Sequence, residues 1–176
     1  MLVAAVSAGV NAFGDRMGGL GEQLARQLAE AVAASGRNPA EIDDATARSI
    51  AADIVENART SKGRVPGYGI PLHSADPRAP AVLKVANAEG TSGVYARIGM
   101  YIEETLAAAR GGKRVPMNLD GVSAVVILDL GFDWRSTRLF LLTPRSVSMG
   151  AHYLEELAQD STWRHIPADQ IEYLQN

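Results

Sequence analysis

The segment VYARIGMYIEETLAAAR, residues 94–110, sets Val94, Ile98, Ile102 and Leu106 four positions apart. That spacing aligns apolar side chains on one face of an α-helix. The pattern recurs on both sides. Upstream, Leu20, Leu24, Leu28 and Val32 predict a helix over 20–34, with Gly36 as its C-cap. Asn38 and Pro39 supply a cap and a first helical residue, predicting a helix to about residue 59 with Ile42, Ala45, Ile50 and Ile54 facing inward. Downstream, helices are expected over 80–88, 120–130 and 134–158. Pro144 lies inside the last, which predicts a kink or two helices. Residues 2–13 are apolar nearly all round and predict a buried helix. No segment alternates apolar and polar residues in the manner of a strand. The fold class is all-α.

Composition bounds the rest. At 176 residues the chain predicts one domain, or one with a small appendage. It has no cysteine, which excludes disulfides, a thiol nucleophile and cysteine-held metals. With 17 basic and 20 acidic residues the net charge is −3, which argues against a general nucleic-acid binder. The longest apolar run, residues 122–130, is interrupted by Ser123 and Asp129 and is far short of a membrane span. The apolar start has no positive n-region and does not read as a signal peptide. The expectation is a cytoplasmic protein with no membrane or nucleic-acid partner.

Residues 61–80 hold three glycines and four prolines, too many for a regular element. They also carry Val65, Tyr68, Ile70 and Leu72, so the stretch reads as a binding loop rather than a solvated linker. Motifs for phosphate loops, dinucleotide folds and serine hydrolases are absent. His73, His152 and His165 are too scattered for a histidine metal site, and no metal is expected. What stands out is an ordered set: Val65-Pro66-Gly67-Tyr68-Gly69, then Asp76-Pro77-Arg78, then Asn118-Leu119-Asp120-Gly121, then Arg145 with Ala151-His152 and Glu155-Glu156.

In order and spacing this set resembles the C-terminal half of the citrate synthase family, including the related citryl-CoA lyases. The likeness runs from Met17 to about Tyr173. It implies a citrate synthase-like helical fold, with residues 1–35 and 117–176 in the large domain and 36–116 forming the small domain around an acyl-CoA loop at 64–78. It implies acyl-CoA as a substrate with no permanently bound cofactor, a carboxylate-bearing oxo-acid as co-substrate, and assembly with a citrate synthase-like chain. Val65, Pro66, Gly67, Tyr68 and Gly69 would lie against coenzyme A. Asp120 would take a proton from the carbon beside the thioester. Arg78, Arg145 and, near the end, Arg164 would bind carboxylates, with Asn118 among the substrate-binding residues. Physical chemistry supports these roles. A carboxylate at a helix start becomes a useful base when burial raises its pKa, and the planar fork of arginine matches a carboxylate.

Two departures bear on the chemistry. The family has histidines where this chain has Met17 and Ile70. One stabilises the enol and the other polarises the ketone, which neither replacement can do. Each such donor is worth about 2.7–4 kcal/mol in the transition state. Ordinary citrate synthesis by this chain alone is therefore not expected, and the early part of the large domain has no counterpart here. His73, three positions beyond Ile70, is a candidate substitute. Each residue also has a plainer reading: Asp120 as an N-cap, Arg78 as a solvated first-turn residue, Tyr68 as packing, His152 as a core histidine, the paired glutamates as solvated faces. Arg145, amid apolar residues, would be buried and need an anion. The leading expectation is a subunit that makes or breaks a carbon–carbon bond beside an acyl-CoA thioester. A non-catalytic acyl-CoA-binding or regulatory subunit, or a bare remnant of the fold, are the alternatives.

Overall fold

The computed structural model describes residues 1–14, 19, 21–70, 74–159 and 166–172. Among these are seven α-helices and no strand: α1 Leu2–Asn11, α2 Glu22–Ala34, α3 Asp44–Thr60, α4 Arg78–Ala88, α5 Val94–Ala109, α6 Leu119–Asp129 and α7 Thr137–Ala158. The all-α expectation holds. The chain forms two compact units, one of residues 13–141 and one of residues 1–12 with 142–176.

In the larger unit, α3 runs along α5, while α6 packs against α2, α4 and α5. The apolar stripes close this core: Leu24 and Leu28 of α2, and Ile98 and Ile102 of α5, are fully buried, as are Val122 and Val125 of α6. Helix α6 carries buried residues on most of its circumference, as expected of a central helix. Asp129, at its C-terminal end, reaches across to the start of α5 and accepts hydrogen bonds from the backbone N–H of Gly93 (2.8 Å), Tyr95 (2.9 Å) and Ala96 (2.9 Å). It caps α5 in place of any side chain at residue 93. Asp129→Ala is expected to lower stability by about 2 kcal/mol, measured by denaturant unfolding, because three N–H groups lose their acceptor.

Three expectations need correction. The helix expected from residue 38 is two elements. Asn38 caps a 3₁₀ turn over Pro39–Glu41, and α3 is capped separately by Asp43, whose carboxylate accepts from Thr46 N at 2.8 Å. The two-helix reading of Pro144 is also set aside: α7 is one helix of 22 residues with Pro144 inside it, preceded by a 3₁₀ turn over Trp134–Ser136.

The third correction lies in the smaller unit. There α1 approaches α7 closely at Gly9, where an added Cβ would lie 2.6 Å from Met149 Sδ. The expected burial of α1 fails, since none of its residues is buried and Val3 is 81% exposed. Val147, Leu154 and Leu157 on α7 are also exposed. Among the described residues no helix is long and apolar enough to cross a membrane.

Candidate active site

The loop after α3 is attached to the start of α6 by backbone bonds. Gly67 O accepts from Asn118 N (2.9 Å) and Gly69 N donates to Pro116 O (2.8 Å), forming an isolated bridge between Tyr68 and Met117. The N-cap of α6 is Asn118, so the N-cap reading of Asp120 is set aside: Asp120 is the second helical residue. Asn118 Oδ1 accepts from Gly121 N (3.1 Å) and its Nδ2 donates to Gly69 O (2.7 Å). Both ends of this amide are thus used in holding loop and helix together.

Glycine makes the junction possible. Gly67 is left-handed (φ 83°), and a Cβ there would lie 2.7 Å from Gly121 Cα. A Cβ on Gly121 would lie 2.3 Å from Gly67 O. Two backbones touch here without intervening side chains, a closeness only glycine permits. The start of α2 presses on the same turn, because a Cβ on Gly21 would meet Asp120 O.

Tyr68 donates its hydroxyl to Gly99 O (2.7 Å) and packs on the core, and burial, with Glu103 nearby, pushes the phenol well above its usual range. Its packing reading is correct as far as the hydroxyl goes. Val65 is buried in the core, so its side chain is not available to a ligand. Beside Gly69 and Ile70 opens a pocket of about 520 Å³, lined also by Pro116, Arg110, Lys113 and Arg114. Arg114 is paired with Glu103 (2.8 Å), and Arg110 and Lys113 beside it suit an anion.

Glu103 accepts from Met117 N at 3.1 Å on one side of the junction, and on the other stand Asp76, Arg78 and Asp120. Asp76 is only 2% exposed, the one charged side chain that is fully buried among the described residues. Its Oδ1 accepts from Arg78 N (3.0 Å) and Arg78 Nε (2.9 Å), and its Oδ2 from Arg78 Nη2 (2.9 Å) and Leu119 N (3.0 Å). The guanidinium fork and the backbone bonds hold this carboxyl well below the usual range. Asp120 differs. It reaches solvent, yet burial raises its pKa; the charge of Arg78 opposes that rise and the charge of Asp76 adds to it. Of the two carboxylates, Asp76 is saturated with donors and Asp120 keeps a basic oxygen pair free for a proton.

The depressed pKa of Asp76 has a consequence for acid stability. A carboxyl whose folded pKa lies below its unfolded value stabilises the fold above about pH 4 and loses that contribution as pH falls further. The gap in thermal midpoint between the wild-type chain and Asp76→Asn is therefore expected to shrink as pH drops from 6 to 2.5, read by circular dichroism.

Arg78, Asp120, Asn118 and Gly67–Gly69, each singled out in the sequence, lie around this junction, where Asp76 had been given no role. The signal was present in an aspartate two positions before an arginine with proline between, a spacing that lets the carboxylate meet the backbone N–H of that arginine. Arg145 lies on α7 in the other unit and is exposed, so its expected burial is not found. His152 is exposed as well and pairs with Glu155 at 3.1 Å, which removes its core reading. Met17, His73 and Arg164 lie outside the described residues. No group of three or more metal-ligating side chains occurs among the described residues.

A family model for the C-terminal domain of citrate synthase matches residues 1–166. The solved citryl-CoA lyase from Hydrogenobacter thermophilus is 28% identical, with a TM-score of 0.81, and aligns over all of this chain and 64% of its own. An ATP citrate lyase from Methanosaeta concilii, solved in complex with (3S)-citryl-CoA, is 19% identical with a TM-score of 0.68, over all of this chain and 29% of its own. The citrate synthase from Thermotoga maritima is 22% identical with a TM-score of 0.60, over 92% of this chain and 42% of its own. The last two likenesses are of fold. The chain spans less than two thirds of the length of each of these proteins. No curated protein matches the sequence.

Proposed function

We propose that this chain, which belongs to the citrate synthase family, is a citrate synthase-like or citryl-CoA lyase-like subunit acting beside the thioester of an acyl-CoA. The observation that carries the reading is the turn at Leu119–Gly121, where an accessible carboxylate with a raised pKa stands beside an arginine fork and is fixed to a glycine loop.

In the forming direction, Asp120 takes a proton from the carbon alpha to the thioester. The C–H bond breaks, an O–H bond forms on Asp120, and the electron pair becomes the carbon–carbon double bond of an enolate with its negative charge on the thioester oxygen. The enolate carbon then attacks the ketone carbon of an oxo-acid: the new carbon–carbon bond forms, the thioester carbonyl is restored, and the ketone's π pair moves to its oxygen, which takes a proton from water while Asp120 gives its own back to water. Cleavage is the reverse, with Asp120 returning its proton to carbon. Arg78 offers the oxo-acid a carboxylate site: two of its N–H groups bind Asp76 and about three remain. Arg145 and Arg164 are further candidate carboxylate ligands, and His73 is a candidate substitute for the histidine that Ile70 replaces. The pocket with Arg110, Lys113 and Arg114 suits the phosphates of coenzyme A, continuing from Pro66–Gly69. Acyl-CoA is a substrate in this reading and no cofactor is resident.

The partner in this reading is a citrate synthase-like chain, which would cover the exposed apolar residues of α1 and α7. The boundaries at residues 35 and 116, between large- and small-domain parts, belong to this proposal. Native mass spectrometry of the complex from its source, with and without an acyl-CoA, tests it. A stoichiometric second chain with acyl-CoA retained supports a split enzyme. A homo-oligomer that ignores acyl-CoA overturns the reading.

Ile70 on the pocket wall favours a second reading. An alkyl group at the position where the family has a ketone-polarising histidine suits a chain that binds acyl-CoA and regulates an active paralogue. Turnover of the complex that survives Asp120→Asn would select this reading.

A further inference from the structure

We infer that Asp76 is the positioning residue of this site, the brace that sets the Arg78 fork against the first turn of α6. The inference rests on the acyl-CoA reading above for the identity of the ligand, and on geometry for the brace itself.

Asp76 meets four N–H groups with two oxygens, about the number of lone-pair sites a carboxylate has. It has no capacity left for substrate and none for accepting a proton in a reaction. Its partners belong to the two elements that carry the chemistry. Arg78 opens α4, and Leu119 is the residue immediately before Asp120. One oxygen, Oδ2, receives both Arg78 Nη2 and Leu119 N, so the position of the guanidinium and that of the α6 backbone are fixed to the same atom. Arg78 would otherwise be a long, exposed side chain with a 59% accessible surface. An arginine of that kind samples many rotamers, and ordering it on binding costs affinity. With Nε and Nη2 held, the plane of the fork is set before a carboxylate arrives.

The burial of Asp76 supports the assignment. A charged group taken from water needs charged and dipolar partners to remain ionised. Arg78 meets that need while itself staying in solvent, so the pair has a buried anchor and an open working end. Among the described residues the charges that act on Asp120 are those of Arg78 and Asp76, and Gly21 of α2 brings only backbone. Asp76 is thus both the anchor of the Arg78 cation that favours the Asp120 anion and itself a charge that disfavours it.

The test is calorimetric titration of citrate and, separately, of coenzyme A into the complex carrying wild-type chain, Asp76→Asn, Arg78→Gln or both. The inference expects citrate affinity to fall at least tenfold in Asp76→Asn while coenzyme A affinity stays within about twofold. In the Arg78→Gln background, Asp76→Asn should cost citrate nothing further, the non-additivity of two residues acting as one. Hydrogen exchange at residues 119–121 should quicken in Asp76→Asn and stay unchanged in Arg78→Gln. If Asp76→Asn does not fold, Asp76→Glu keeps the charge, displaces the fork by one methylene and should show the same selective loss. Full citrate affinity in a folded Asp76 variant, or equal loss of both ligands, overturns the brace alone. A wild-type complex that binds neither ligand overturns the acyl-CoA reading and the brace with it.

Discussion

Turnover by the Asp120→Asn complex is expected to fall about 10²- to 10⁴-fold, the range that a positioned general base contributes, with acyl-CoA affinity little changed. The asparagine keeps the shape of the side chain and its place in the helix, and it removes the proton acceptor. The fold should tolerate the change because the side chain reaches solvent and the turn is held by other groups: Asn118 on Gly121, Asp76 on Leu119, Gly67 on Asn118. Loss of a negative charge from the first turn of a helix costs at most about 1 kcal/mol. Steady-state kinetics should thus show the loss in kcat rather than in KM for acyl-CoA. The wild-type rate should decline at acid pH, over a range set above the ordinary aspartate value, because burial raises the Asp120 pKa.

Gly67→Ala is expected to have the largest effect on stability, about 3 kcal/mol. Two costs combine at this residue. Its φ of 83° is unfavourable for any residue with a Cβ, and that Cβ would stand 2.7 Å from Gly121 Cα and 2.9 Å from Gly121 N. A backbone atom cannot rotate away as a side chain can, so the loop must lift from α6. The bonds from Asn118 N to Gly67 O and from Asn118 Nδ2 to Gly69 O should lengthen or break. Urea unfolding measures the stability, and loss of acyl-CoA affinity in the surviving folded fraction reports the displaced loop. Gly69→Ala makes a useful contrast. That residue is also left-handed, at φ 77°, but its Cβ would meet only Val115 Cγ1 at 3.5 Å, an ordinary contact. Its cost should be near half as large.

The helices were legible because burial and helical geometry both act through the period of the sequence. Leu24, Leu28 and Val32 of α2, and Ile98, Ile102 and Leu106 of α5, were read as inward-facing and are buried. Helix starts were harder. Asn38-Pro39 and Asp43 are both good cap sequences six residues apart or less, and only the packing of Ile42 between them, 3% exposed, decides that the chain turns there before α3 begins. The loop and the Asn118–Gly121 turn were recognisable as motifs. Their contact depends on Gly67 and Gly121 touching through backbone, and the sequence records that only as two glycines. Asp76 was quoted as part of the Asp76-Pro77-Arg78 motif but given no role, because a buried ion pair is made by tertiary position, and that triplet reads equally well as a solvated helix start. The misjudgement of α1 and Arg145 has one physical root. Apolar composition says that a surface is disfavoured in water, and it does not say which chain covers it.

Proton exchange at the acyl thioester is the direct test of Asp120 as a base. The complex would be incubated with acetyl-CoA and a non-reacting dicarboxylate in deuterium oxide, and the thioester analysed by mass spectrometry. Deuterium is expected at the carbon alpha to the thioester with the wild-type chain and none above background with Asp120→Asn. Acetyl-CoA that binds and stays unlabelled, or labelling that persists in Asp120→Asn, would contradict it.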